Sequence, residues 1–104
     1  MIGSIHDDRV YAPEYIKFLL HPYVKNIVWN GSAEPTRILA HTMEEYLTET
    51  RALTFVTLGE LESDRTLCAE AAVRLSHAGF AMSVDDVAAQ IALLHAQTMG
   101  ALWE

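Results

Sequence analysis

One cysteine, Cys68, stands in the 104 residues. An intrachain disulfide is therefore impossible, and the composition suits a reducing compartment. Positive charge is also scarce: 7 Lys and Arg face 14 Asp and Glu, for a formal charge of −7, and no Lys or Arg follows Arg74. The shortage is local. Residues 1–43 carry four acids and four bases, whereas residues 44–104 carry ten acids against Arg51, Arg65 and Arg74. A surface of that sign repels nucleic-acid phosphates and anionic lipid headgroups, so neither nucleic acid nor membrane is expected as a direct partner.

Long apolar runs are missing too. The longest uncharged stretch, Val87 to Trp103, is 17 residues and includes Gln90, His95, Gln97 and Thr98. That falls short of the roughly 20 apolar residues of a membrane-spanning helix. The opening MIGSIHDDRVYAPEY has neither the basic start nor the apolar run of a secretory signal. The Asn30-Gly31-Ser32 sequon accordingly carries no glycosylation expectation. The expected location is the cytoplasm.

What is present is apolar, at 51% hydrophobic residues. So much apolar material in one small domain predicts that part of it is covered by a second copy or another protein. Residues 1–104 read as a single all-α domain: a compact bundle of four or five helices with a C-terminal αα-hairpin and an irregular N-terminal arm. Pro13 and Glu14 suit a first helical turn, and Tyr15, Ile16, Phe18, Leu19 and Leu20 follow until Pro22. Pro22 opens a short helix with Tyr23, Val24, Ile27 and Val28 on one side, closed by Asn30-Gly31. Leu39, Met43, Tyr46, Thr50 and Leu53 recur at steps of four and three, widened by Ile38 and Leu47. The β-branched "ALTFVTLGEL" (52–61) permits a strand, but with no convincing partner in sequence the helix is expected to continue to about Leu58. Ser63 or Asp64 caps the next helix, whose buried line is Leu67, Ala71, Leu75 and Ala78.

The corner "LSHAGFAMSVDD", Leu75 to Asp86, is the most legible stretch. Gly79 stops one helix with Phe80 against Leu75. Ser83 and Asp86 form a capping box for the next, with Met82 and Val87 as its hydrophobic staple. A short glycine-containing turn between helices resembles the DNA-reading helix-turn-helix motif. Asp85, however, falls where that pattern buries Val or Ile, and Asp85 and Asp86 occupy the turn that should meet phosphates. The corner reads as a helical hairpin.

The last helix repeats Val84, Val87, Ile91, Leu94, Thr98, Ala101 with a three-four alternation. Val84, Val87, Ile91, Leu94, Thr98 and Leu102 are the expected self-association seam of a homodimer. Tyr11, Tyr15, Tyr23 and Trp29 are the expected contacts with another protein, since Tyr and Trp favour interfaces. Glu44, Glu45, Glu49, Glu60, Glu62 and Asp64 form a candidate acidic face. Five histidines raise the metal question, yet His41 with Glu45 is half a site, and consecutive His6, Asp7 and Asp8 cannot easily face one ion. No metal, cofactor or catalytic residue is assigned. The favoured function is a non-enzymatic protein–protein interaction or regulatory module, an adaptor or inhibitor acting as a homodimer. Two alternatives stand beside it: an acidic inhibitor that mimics nucleic-acid phosphates, and a small enzyme or ligand-binding bundle using Cys68 and His95, which the hairpin brings level.

Overall fold

The computed structural model describes residues 9–29, 31–51 and 53–96. Eight elements follow in order: β1 (Arg9–Tyr11), α1 (Ala12–Leu20), α2 (Pro22–Lys25), α3 (Glu34–Thr50), β2 (Phe55–Thr57), α4 (Leu58–Glu62), α5 (Arg65–His77) and α6 (Val84–Leu94). Helix accounts for 71% of the described chain and the only sheet in it has two strands, so the all-α expectation holds at the level of class. None of these helices is long and apolar enough to cross a membrane.

Local chemistry sets most boundaries. Pro13, Pro22 and Pro35 each sit in a first helical turn, where the missing amide costs nothing. His21 caps α2 through its side chain, the Nδ1 accepting from the Tyr23 amide at 3.1 Å. That helix is a single turn, shorter than the segment to Val28 that the sequence suggests. The chain instead reverses at a Trp29–Ser32 bridge, with Gly31 at φ +95°. The Thr36 hydroxyl then ties Ile27 to the start of α3, donating to its carbonyl at 2.6 Å.

The largest departure from the sequence reading lies between Thr50 and Leu58. The long helix stops at Thr50, and Phe55–Thr57 forms a strand. Its partner is the N-terminal arm: Arg9, Val10 and Tyr11 pair antiparallel with Thr57, Val56 and Phe55. Val10 and Val56 face inward while Tyr11 stacks on Phe55 at 5.1 Å between ring centroids. Leu53, assigned by periodicity to the buried stripe, is consequently 74% exposed. Thr57 and Glu60 then form a complete capping box for α4, its two bonds at 3.1 and 3.0 Å.

The core is continuous. α3 packs on α1 and α5, and α5 on α6. Leu39, Met43 and Leu47 of α3 meet Tyr15, Phe18 and Leu19 of α1, Leu67, Ala71 and Leu75 of α5, and Val87, Ile91 and Leu94 of α6 in one buried cluster. The hairpin corner matches its sequence signature. Asp64, rather than Ser63, caps α5, accepting from the Leu67 amide at 3.1 Å. At the other end the Gly79 amide reaches Ser76 O and the Phe80 amide reaches Leu75 O, the paired bonds of a Schellman stop. Gly79 takes φ +97°, which a residue with a Cβ adopts only under strain.

Candidate functional site

Two places among the described residues are candidate sites: a buried chain of hydrogen bonds and an open groove. The buried chain joins α1, α4 and the end of α6. His95, 7% exposed, meets Glu62 Oε2 through Nδ1 at 2.7 Å and the Tyr15 hydroxyl through Nε2 at 2.5 Å. A carboxylate only accepts, so Nδ1 donates to Glu62. Tyr15 is 1% exposed, and burial, reinforced by the nearby Glu62 charge, drives its pKa far above the ordinary tyrosine value. The phenol therefore keeps its proton and donates it to Nε2. Every ring nitrogen has a partner, and the hydroxyl is sealed from solvent. Such a chain fixes three elements together but presents no group to a substrate.

This arrangement bears on the Cys68–His95 pairing. Both nitrogens of His95 are engaged elsewhere, and Cys68 is fully buried. Desolvation, with a smaller push from Asp64, raises the thiol's pKa, the reverse of what a thiolate nucleophile needs. Metal ligands are equally dispersed: among the described residues no three His, Cys, Asp or Glu side chains converge. His6, Asp7 and Asp8 lie outside the described residues.

The groove is built on the outer side of α6. Trp29 from the bridged turn, Ala81 and Met82 from the corner, and Asp86, Ala89, Gln90 and Leu93 from the helix enclose about 560 Å³. Its apolar walls are partly open to solvent, Leu93 being 45% exposed. Its distinctive member is Gln90. This residue is only 8% exposed, falls on the inward stripe with Val87, Ile91 and Leu94, and makes no hydrogen bond to another described residue. No buried side-chain nitrogen or oxygen in the described chain is sealed off without a partner, so the Gln90 amide keeps access to solvent, and the residue lines the groove. The Trp29 indole N–H is also without an intramolecular acceptor. Asp86 spends Oδ2 on the cap, accepting from the Ser83 amide at 3.1 Å, and leaves Oδ1 unused.

The residues singled out in sequence are dispersed by the fold. Of the expected seam, Val87, Ile91 and Leu94 are consumed by this chain's own core, at 0%, 0% and 3% exposure, and Val84 packs against that core. The physical reason is that α6 lies along α5 and α4, so its apolar stripe is already covered. Thr98 and Leu102 lie outside the described residues. Of the aromatic contacts, Tyr15 is interior, Tyr11 covers the strand pair, Tyr23 is exposed, and Trp29 walls the groove.

The acids do not form one free face. Glu45 pairs with Arg74 at 2.7 Å, which raises the pKa of that guanidinium, and Glu44 approaches His41 at 3.6 Å. Glu60 and Asp64 are helix caps, Glu62 binds His95, and only Glu49 has no intramolecular partner. The Tyr46 hydroxyl donates to Asp64 at 2.8 Å, and desolvation followed by this bond raises its pKa.

Sequence reasoning missed Gln90, Met82 as a wall, and the Glu62–His95–Tyr15 chain. Gln90 left a signal: a polar residue three positions after Val87 on an otherwise apolar stripe. No protein-family model matches the chain, and no curated protein or solved structure is significantly similar to it. Function therefore rests on the geometry.

Proposed function

We propose that this protein is a non-enzymatic interaction module and that the groove between Trp29 and α6 is its contact surface. The supporting observation is Gln90: a carboxamide nine-tenths buried that lines the groove and makes no hydrogen bond to another described residue. The groove gives that amide access to solvent, and an incoming donor and acceptor would take the place of water there. Leu93, Met82 and Trp29 supply the apolar and aromatic contact that anchors interfaces. The closed Tyr15–His95–Glu62 chain and the protonated, buried Cys68 favour this reading over the enzyme. The internal pairing of the acids favours it over phosphate mimicry.

The test is quantitative co-purification from cells that make the protein, comparing wild type with Leu93→Asp. Leu93 is partly exposed, so the variant should fold with an unchanged melting temperature. Proteins retained by wild type and lost from the variant support the groove as the contact surface. Equal retention by both would exclude it. Light scattering on the same samples distinguishes a second copy from a heterologous protein as occupant.

A further inference from the structure

Resting on that reading, we propose that the groove takes an extended peptide segment in which an apolar residue is followed or preceded by Lys or Arg. Three features of the groove select this chemistry. The first is the Gln90 amide, which offers one carbonyl and one NH2 group to a site bounded by Trp29, Met82 and Leu93. A peptide unit of an extended strand offers the complementary N–H and C=O side by side. A helix has already spent those groups on its own i to i−4 bonds, so a helical partner leaves Gln90 unanswered. The Trp29 indole N–H adds a second donor, suited to another main-chain carbonyl of the same segment.

The second feature is the apolar wall. Leu93 at 45% exposure, Met82 and the Trp29 ring form a surface for one aliphatic or aromatic side chain, and methionine adapts to the shape of that group. The third is charge. Asp86 stands on the rim with Oδ1 uncommitted. Its neighbour Asp85 is held by Arg65 at 3.0 Å, and α6 itself contains no Lys or Arg. In a chain of net charge −7 this rim attracts a cationic flank and repels an acidic one.

The experiment is a titration of 15N-labelled full-length protein with acetylated, amidated pentapeptides, read at the Gln90 side-chain NH2 and Trp29 indole resonances. Four probes are used: Leu flanked by Lys, Leu flanked by Glu, Ala flanked by Lys, and the Lys-flanked Leu peptide N-methylated at its central amides. The Lys-flanked Leu peptide should shift both resonances saturably. Glu flanks should weaken it about fivefold. Loss of the Leu side chain or of the amide protons should weaken it about tenfold.

In Gln90→Leu, affinity for the same peptide should fall about tenfold while the melting temperature is unchanged or higher, since a mostly buried carboxamide gives way to an apolar side chain of similar size. If that variant fails to fold, the N-methylated probe answers the same question on wild type. Unmoved Gln90 and Trp29 resonances at millimolar peptide, or affinity indifferent to both flank charge and N-methylation, would overturn the peptide assignment. Leu93→Asp still losing partners in that case would leave the interaction reading standing and identify a folded surface or a second copy as the occupant.

Discussion

At the scale of single residues, the buried Tyr15–His95–Glu62 chain carries the clearest energetic consequences. Tyr15→Phe leaves His95 Nε2 facing an apolar ring edge, an unsatisfied buried polar group that costs about 1–3 kcal/mol in chemical denaturation. The same substitution changes the alkaline limb of the stability curve. The Tyr15 pKa is raised in the folded protein, while an unfolded tyrosine ionises near pH 10. The contribution of Tyr15 is therefore fully present below that pH and is lost as pH rises beyond it. Wild type is expected to lose stability steeply above about pH 10, and Tyr15→Phe more gently. Tyr46, shifted in the same direction, supplies what slope remains. Cys68 makes a kinetic statement. Fully buried and with its thiol pKa raised, it should react with iodoacetamide only at the rate of unfolding, in step with a denaturant titration. Rapid stoichiometric labelling of the native protein would contradict the closed core described above.

Elements differ in how far their own sequence specifies them. The α5–α6 corner is written in residues within a dozen positions of one another, and its Schellman stop and capping box are both formed. It should respond accordingly. Gly79→Ala has room for its methyl group but must hold φ at +97°, so the cost is backbone strain of about 1–2 kcal/mol. Ser83→Ala should cost about 1 kcal/mol through loss of the cap to Asp86. Thermal melts of the two variants check both figures. The strand at Phe55 is the opposite case. Its residues have strand propensity, but the partner is Arg9–Tyr11, far away in sequence, and no local rule connects the two. The helical period that seemed to run on to Leu53 continues only by chance past the end of α3 at Thr50. The Thr57–Glu60 capping box was the available warning, because a helix start at Leu58 cannot lie inside a helix. For the groove, Trp29 stands out in the sequence as a candidate contact. The burial of Gln90 does not, because it depends on the bridged turn of Trp29 and Ser32 lying beside the helix.

On the scale of the whole molecule, apolar excess and acidity have separate physical addresses. The apolar stripe of α6 is spent inside the chain, and most of the acids of residues 44–64 serve as caps or ion-pair partners. Among the described residues the fold also leaves a modest groove that presents an amide, an indole and one uncommitted carboxylate oxygen. That the groove is a contact surface is the central claim, and site-specific photocrosslinking in intact cells tests it most directly. A benzophenone amino acid placed at Ala89, exposed and in the groove wall, is compared with one at Glu49, exposed on α3. A discrete higher-mass adduct with another protein is expected from position 89 and none from position 49. Adducts of equal yield from both positions, or from position 49 alone, would contradict that claim.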